Sequence, residues 1–191
     1  HAVCDLRARK SAAEIAVIRY AYRIAAVGID AAVAAVHPGA TESAVAEALN
    51  SLAETSDWWA RTARPCVLTP HPGEFARLCA RDVGADDGER AERARAAAAL
   101  WGHVVVLKGA RTVVAAPGGE VVMADHANPA LGTGGTGDVL AGVIASLLAQ
   151  GLRPWDAARL GVHLHGVAGE HVRERLGDAG LLASDLLPEL P

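Results

Sequence analysis

The stretch Asn128-Pro-Ala-Leu-Gly-Thr-Gly-Gly-Thr-Gly-Asp138 decides how the fold is read. Gly132, Gly134 and Gly137 satisfy G-x-G-x-x-G, the spacing with which a strand–turn–helix unit cradles a dinucleotide pyrophosphate. That reading requires a strand running straight into the glycines and a crossover helix feeding a further strand. Ala127-Asn-Pro-Ala130 reads as loop instead, within a loop expected over 125–135. The apolar helix expected over 137–150 leads, past Pro154 at a first helical position, into another helix reaching about Arg175. A Rossmann assignment fails on context. A P-loop fails as well, because Asp138 stands where Lys-Ser or Lys-Thr would be.

Closely spaced glycines let several backbone N–H groups point inward at the start of a helix, where the helix dipole adds positive potential. Gly134, Gly135, Thr136 and Gly137 are therefore a candidate turn for a phosphate or a developing oxyanion. Asp138 just past it is dipole-favoured, and beside a substrate hydroxyl it could act as general base. The plainer alternative is that the glycines only shape a tight turn. Four glycines and two threonines in the six positions 132–137, followed directly by Asp, favour the functional reading.

Outward from this turn, two upstream segments share the logic of side chains placed at strand ends. His103-Val-Val-Val-Leu-Lys108 is a strand ending in Lys108-Gly-Ala-Arg-Thr112, so Lys108 sits where α/β sheets bind ligands and could neutralise phosphates. A solvent-facing lysine in a hairpin turn is the alternative. Pro65-Cys-Val-Leu-Thr69 reads as a short buried strand running into Pro70-His-Pro-Gly-Glu74, where two prolines and a glycine would hold His71 rigidly over a cleft. His71 could equally cap the helix that follows through Leu78, and Glu74 suits a helix start. Further strands are expected at 112–116 and 120–123, and an Ala-rich helix over 86–102. Strands alternating with helices argue for an α/β layered sandwich.

The 191 residues suit one domain, with 51% apolar residues as material for a core and a formal charge of −4. That balance gives no reason to expect nucleic acid or an anionic membrane as partner. No apolar run approaches the ~20 residues of a membrane helix. Three cysteines without a C-x-x-C pair suggest neither a disulfide framework nor zinc, and a reducing cytoplasm fits. Cys66 reads as a buried small hydrophobe. His163 and His165 fall on different helix faces and read as structural, so no metal ligands are assigned. The first residue is His1, and the chain is expected to begin inside something larger.

Leu68-Thr-Pro-His-Pro-Gly-Glu74, Val106-Leu-Lys-Gly-Ala-Arg-Thr112 and the stretch from Asn128 through Gly142, in this order and spacing, closely resemble the ADP-dependent NAD(P)H-hydrate dehydratase family. The resemblance continues through Gly161–Glu170 and covers roughly residues 49–190. It implies a ribokinase-like three-layer sandwich and a cofactor-repair lyase that dehydrates hydrated NADH or NADPH while ADP becomes AMP and phosphate. Carried over by position, His71 and Asp138 would contact the hydrated cofactor. Lys108, Gly109, Ala110, Arg111, Thr112 and Gly137 would line the nucleotide site. Asp138 would be the catalytic base, with ADP as co-substrate and Mg²⁺ on its phosphates.

The family's N-terminal portion, with the first strands and part of the pocket wall, has no counterpart here. A parallel sheet lacking its first strands would leave an unpaired edge. Residues 1 to about 54 read as two helices, the first opened by a capping box at Ser11–Glu14, and residues 1–48 resemble lead-in helices of the creatinase and aminopeptidase P family. The expected organisation is a helical segment over 1–48 and a partial dehydratase domain over 49–191. Two other functions stand beside this one: a small-molecule kinase of the same fold class, and a non-catalytic fragment that needs a partner or forms a homo-oligomer through its sheet edge.

Overall fold

Val104-Val-Val-Leu107 is buried at every position, with no polar alternation, so both faces of this strand must be covered. The computed structural model, which describes residues 57–61, 65–79, 81–84 and 86–191, supplies both covers. The two helices expected over residues 1 to about 54, and the likeness of residues 1–48 to another family, lie outside the described residues.

The sheet runs in the order β1 (Val67–Leu68), β2 (Val104–Leu107), β3 (Val113–Ala115), β4 (Val121–Met123). β1 and β2 are parallel, whereas β2–β3 and β3–β4 are antiparallel. The sheet is thus mixed. The reason is loop length: residues 108–112 and 116–120 are too short for the dozen or more residues of a crossover. The parallel pair is joined through α1 (Pro72–Cys79) and α2 (Asp87–Trp101). Asp86 caps α2 by accepting the Glu89 N–H at 2.8 Å, and Gly102, at φ 70°, ends it in the left-handed conformation.

Successive β2 side chains point to opposite faces. Val105 and Leu107 join Phe75 of α1 and Ala94, Ala98 and Trp101 of α2. Val104 and Val106 join Leu140 and Ile144 of α3 (Thr136–Ala149) and Ala157, Ala158 and Val162 of α4 (Pro154–Leu176). Helices on both faces of one sheet make the expected three-layer sandwich. Within the segment expected as loop, Pro129–Gly132 forms a 3₁₀ turn capped by the Asn128 side chain. Beyond α4, a short α5 (Ala183–Leu186) that the sequence did not announce seats Leu186 and the preceding Leu181 against Ala168 and Val172.

Cys66 is buried, as expected, and burial pushes its thiol up. Cys79 is pushed up to about 11 by burial, against a smaller opposing pull from Arg93. Neither thiol is therefore set up as a nucleophile. No helix among the described residues is long and apolar enough to cross a membrane.

Phe75 is fully buried, with its ring centroid 5.9 Å from that of Trp101 at a 59° tilt. It ties α1, and with it the segment that carries His71, to α2. Phe75→Ala should cost about 3–5 kcal/mol, measured as a fall in unfolding free energy by denaturant titration.

Candidate functional site

The C-terminal end of β2 and the N-terminal end of α3 meet across a cleft of about 560 Å³. Its wall takes in His71, Lys108, Gly109, Ala110, Thr112, Asn128 and the run from Gly132 to Asp138, joined by His126 and His165. Ten of the eleven residues singled out in the sequence therefore share one surface. The exception is Arg111, whose guanidinium turns away toward Asp87 at 3.5 Å.

Two backbone devices fix the β2 side. The Lys108 N–H donates to the Pro70 carbonyl at 2.9 Å, so the strand end and the segment before His71 move as one. From α2, Arg90 donates to the Lys108 carbonyl at 3.3 Å while pairing with Asp87 at 3.3 Å. The Arg90 guanidinium lies against Gly109 so closely that a Cβ there would collide with it. A side chain at position 109 would have to push the flexible Arg90 guanidinium aside. Arg90 and Asp87 gave no sequence signal, since nothing in the chain links position 90 to position 108.

His71 combines both readings the sequence allowed. Its Nδ1 accepts the N–H groups of Gly73 (3.0 Å) and Glu74 (3.2 Å), and the Glu74 carboxylate accepts the His71 N–H at 2.7 Å. This is a reciprocal capping box with His in place of Ser or Thr. An Nδ1 that accepts leaves the ring proton on Nε2, which lies 3.5 Å from the second Glu74 oxygen. Glu74 also sits 3.9 Å from Lys108 Nζ. It orders two of the site's side chains, more than a helix-start residue alone would do.

On the opposite wall, Gly135 takes φ 88°, a conformation that favours glycine. Lys108 Nζ rests over Gly137, 3.2 Å from where a Cβ would be. Thr136 closes the turn on itself, its hydroxyl reaching the carbonyls of Leu131 (2.6 Å) and Thr133 (2.7 Å). The amides of Gly134, Gly135 and Gly137 have no acceptor among the described residues. Asp138 is exposed and is the only carboxylate on the described cleft wall. Asn128 is buried; its Oδ1 accepts from Ala130 N–H at 3.0 Å and its Nδ2 has no partner among the described residues.

His165 is buried on α4, and His163 is exposed, so the two face apart as expected. His165 Nε2 lies 2.9 Å from the Thr136 carbonyl. His126, which the sequence reading passed over, stacks at 5.7 Å from His163. No group of three or more His, Cys, Asp or Glu among the described residues could hold a metal ion.

The cleft thus presents a lysine ammonium and unpaired amides to one space, with a carboxylate at its rim. That suits a phosphorylated ligand bearing a hydroxyl. Residues 41–191 match the sequence profile described as NAD(P)H-hydrate dehydratase. The chain belongs to that family. It is 42% identical over 168 residues to the ADP-dependent (S)-NAD(P)H-hydrate dehydratase of Neisseria meningitidis, covering 86% of this chain and 56% of that protein. With the bifunctional NAD(P)H-hydrate repair enzyme of Moorella thermoacetica it shares 46% identity over 146 residues, 76% of this chain and 28% of the other.

The ADP/ATP-dependent NAD(P)H-hydrate dehydratase of Bacillus subtilis, co-crystallised with ATP and Mg²⁺, superposes with a TM-score of 0.62. It is 41% identical over 66% of this chain and 46% of that one. A ribokinase-like superfamily protein of Enterococcus faecalis gives a TM-score of 0.61 at 30% identity, over 78% of this chain and 49% of the other. The ribokinase-like fold read from the sequence holds. The chain spans about half the length, or less, of these relatives.

Burial holds the His165 imidazole below the usual histidine range, against a smaller upward pull from the bond to Thr136. Burial lowers His103 likewise, against backbone hydrogen bonds that raise it. Both rings fold neutral, whereas the unfolded chain protonates them near pH 6.5. Their contribution is therefore complete above about pH 6.5 and shrinks as pH falls from there through the lower folded values. The denaturation midpoint should drop between pH 7.5 and pH 5.5, and the double variant His103→Gln/His165→Gln should show a shallower drop.

Proposed function

We propose that this chain carries the reacting face of an ADP-dependent dehydratase that returns hydrated NADH or NADPH to the working cofactor, with ADP converted to AMP and phosphate. One observation carries the reading: Lys108 Nζ lies over Gly137, beside the unpaired amides of Gly134 and Gly135 and one residue before Asp138. A terminal phosphoryl group in that space meets positive charge and donors together, and a hydroxyl approaching it from the rim meets a base. Lys108, Gly109, Ala110 and Thr112 are assigned to the nucleotide, with Arg111 contributing only its backbone. His71 and Asp138 are assigned to the hydrated cofactor.

In the reaction, Asp138 takes the proton of the ring hydroxyl as that oxygen attacks the terminal phosphorus of ADP, and AMP leaves. The turn amides and Lys108 hold the charge that spreads over the phosphoryl oxygens. The ring C–O bond then breaks, phosphate departs, and a proton lost from the neighbouring carbon restores the double bond. The described residues form no cage for a metal, with Asp138 the one carboxylate on the cleft wall. Mg²⁺ would therefore arrive on the diphosphate oxygens and neutralise them there.

Melting of the purified chain with ADP tests the nucleotide half. ADP at a hundred times its dissociation constant should add about 2.7 kcal/mol of folded stability, and Lys108→Ala should abolish the rise in Tm. A cooperative melt indifferent to ADP sinks the reading. Asp138→Asn should keep the ADP shift while slowing return of the reduced-nicotinamide absorbance about a hundredfold or more.

A further inference from the structure

We infer that His165 is a positioning residue for the phosphate turn: its bond to the Thr136 carbonyl ties the first turn of α3, with the Gly137 N–H it carries, to α4. The inference rests on the nucleotide reading above and adds a residue to it. A carbonyl oxygen only accepts, so the 2.9 Å contact requires the proton on Nε2 and fixes the tautomer of the ring. The Thr136–Gly137 peptide is planar and trans, so its C=O and N–H point in opposite directions. The helix fixes the direction of both, and the His165 bond fixes their place relative to α4. The Gly137 amide has no acceptor among the described residues, and Lys108 Nζ lies over the same glycine.

The other polar contacts of Thr136 do not do this. Its N–H reaches the Thr133 carbonyl at 3.3 Å, and its hydroxyl reaches Leu131 and Thr133. These bonds stay within residues 131–136. They give the turn its shape without saying where it stands. The Gly135 carbonyl accepts from Asp138 and Val139 within the start of α3, and the bond to His165, 29 positions along the chain, ties this first turn to α4. Thr136 and Gly137 open α3, so the helix sets their peptide planes, and the bond to His165 sets where that first turn stands against α4. The ring is 7% exposed, so water cannot readily replace its N–H.

The experiment is calorimetric titration of ADP into the wild-type chain and three variants, each with its own melt. His165→Leu removes the donor. His165→Gln returns an N–H near the Nε2 position. Leu148→Ala lies at the far end of α3 under the same core and serves as a destabilised control. His165→Leu should bind ADP about tenfold more weakly or worse, His165→Gln should recover most of that loss, and Leu148→Ala should bind as wild type does. If the leucine variant does not fold, His165→Asn, one carbon short of the donor position, takes its place. Unchanged affinity in the donor-less variant, no recovery with Gln, or an equal loss in Leu148→Ala overturns the inference while the nucleotide reading stands. A folded wild-type chain that does not bind ADP overturns both.

Discussion

Peptide N–H groups left without an acceptor are costly in a folded chain unless water or a ligand takes them, and the turn into α3 carries three at Gly134, Gly135 and Gly137 that have no acceptor among the described residues. The structure spends much of its local order on keeping them open. Gly135 turns the chain through a left-handed conformation, and the Thr136 hydroxyl holds the turn closed against the Leu131 and Thr133 carbonyls. Lys108 brings positive charge from across the cleft. The remainder of the site can be understood as support for this arrangement.

That support comes from both helical layers. On one side of the sheet, Arg90 of α2 holds the Lys108 peptide and Glu74 of α1 stands beside its ammonium. On the other, His165 of α4 holds Thr136. β2 lies between them, buried on both faces, and is the reference against which the two walls are set. A shift of either helical layer against β2 would move one wall of the cleft relative to the other, so the packing of Phe75 and Trp101 on one face, and of Ile144 and Val162 on the other, belongs to the function as much as to the stability.

What the sequence disclosed were features written in consecutive residues. The glycine turn, the strand ending in Lys108 and the Pro-His-Pro-Gly segment are local, and their backbone consequences follow from residue type. Even the capping role of His71 was visible as one of two alternatives, because Glu74 stands three residues on. Arg90, Glu74 as a partner of Lys108, and His165 were not readable in these roles, since each acts on a residue 18 to 34 positions away that no local pattern connects to it. The antiparallel half of the sheet follows from the short loops at 108–112 and 116–120, which are local in the sequence. α5 has too few residues to show a period.

The central claim is that the three glycine amides and Lys108 form one anion-binding surface. The most direct measurement is an ¹⁵N-resolved NMR titration of the chain with ADP, following the backbone amides of Gly134, Gly135 and Gly137. The account predicts that these three resonances move together, saturate at one ADP concentration, and stay still in Lys108→Ala. If they remain unmoved while amides elsewhere respond to ADP, the nucleotide binds somewhere other than this turn and the account is wrong.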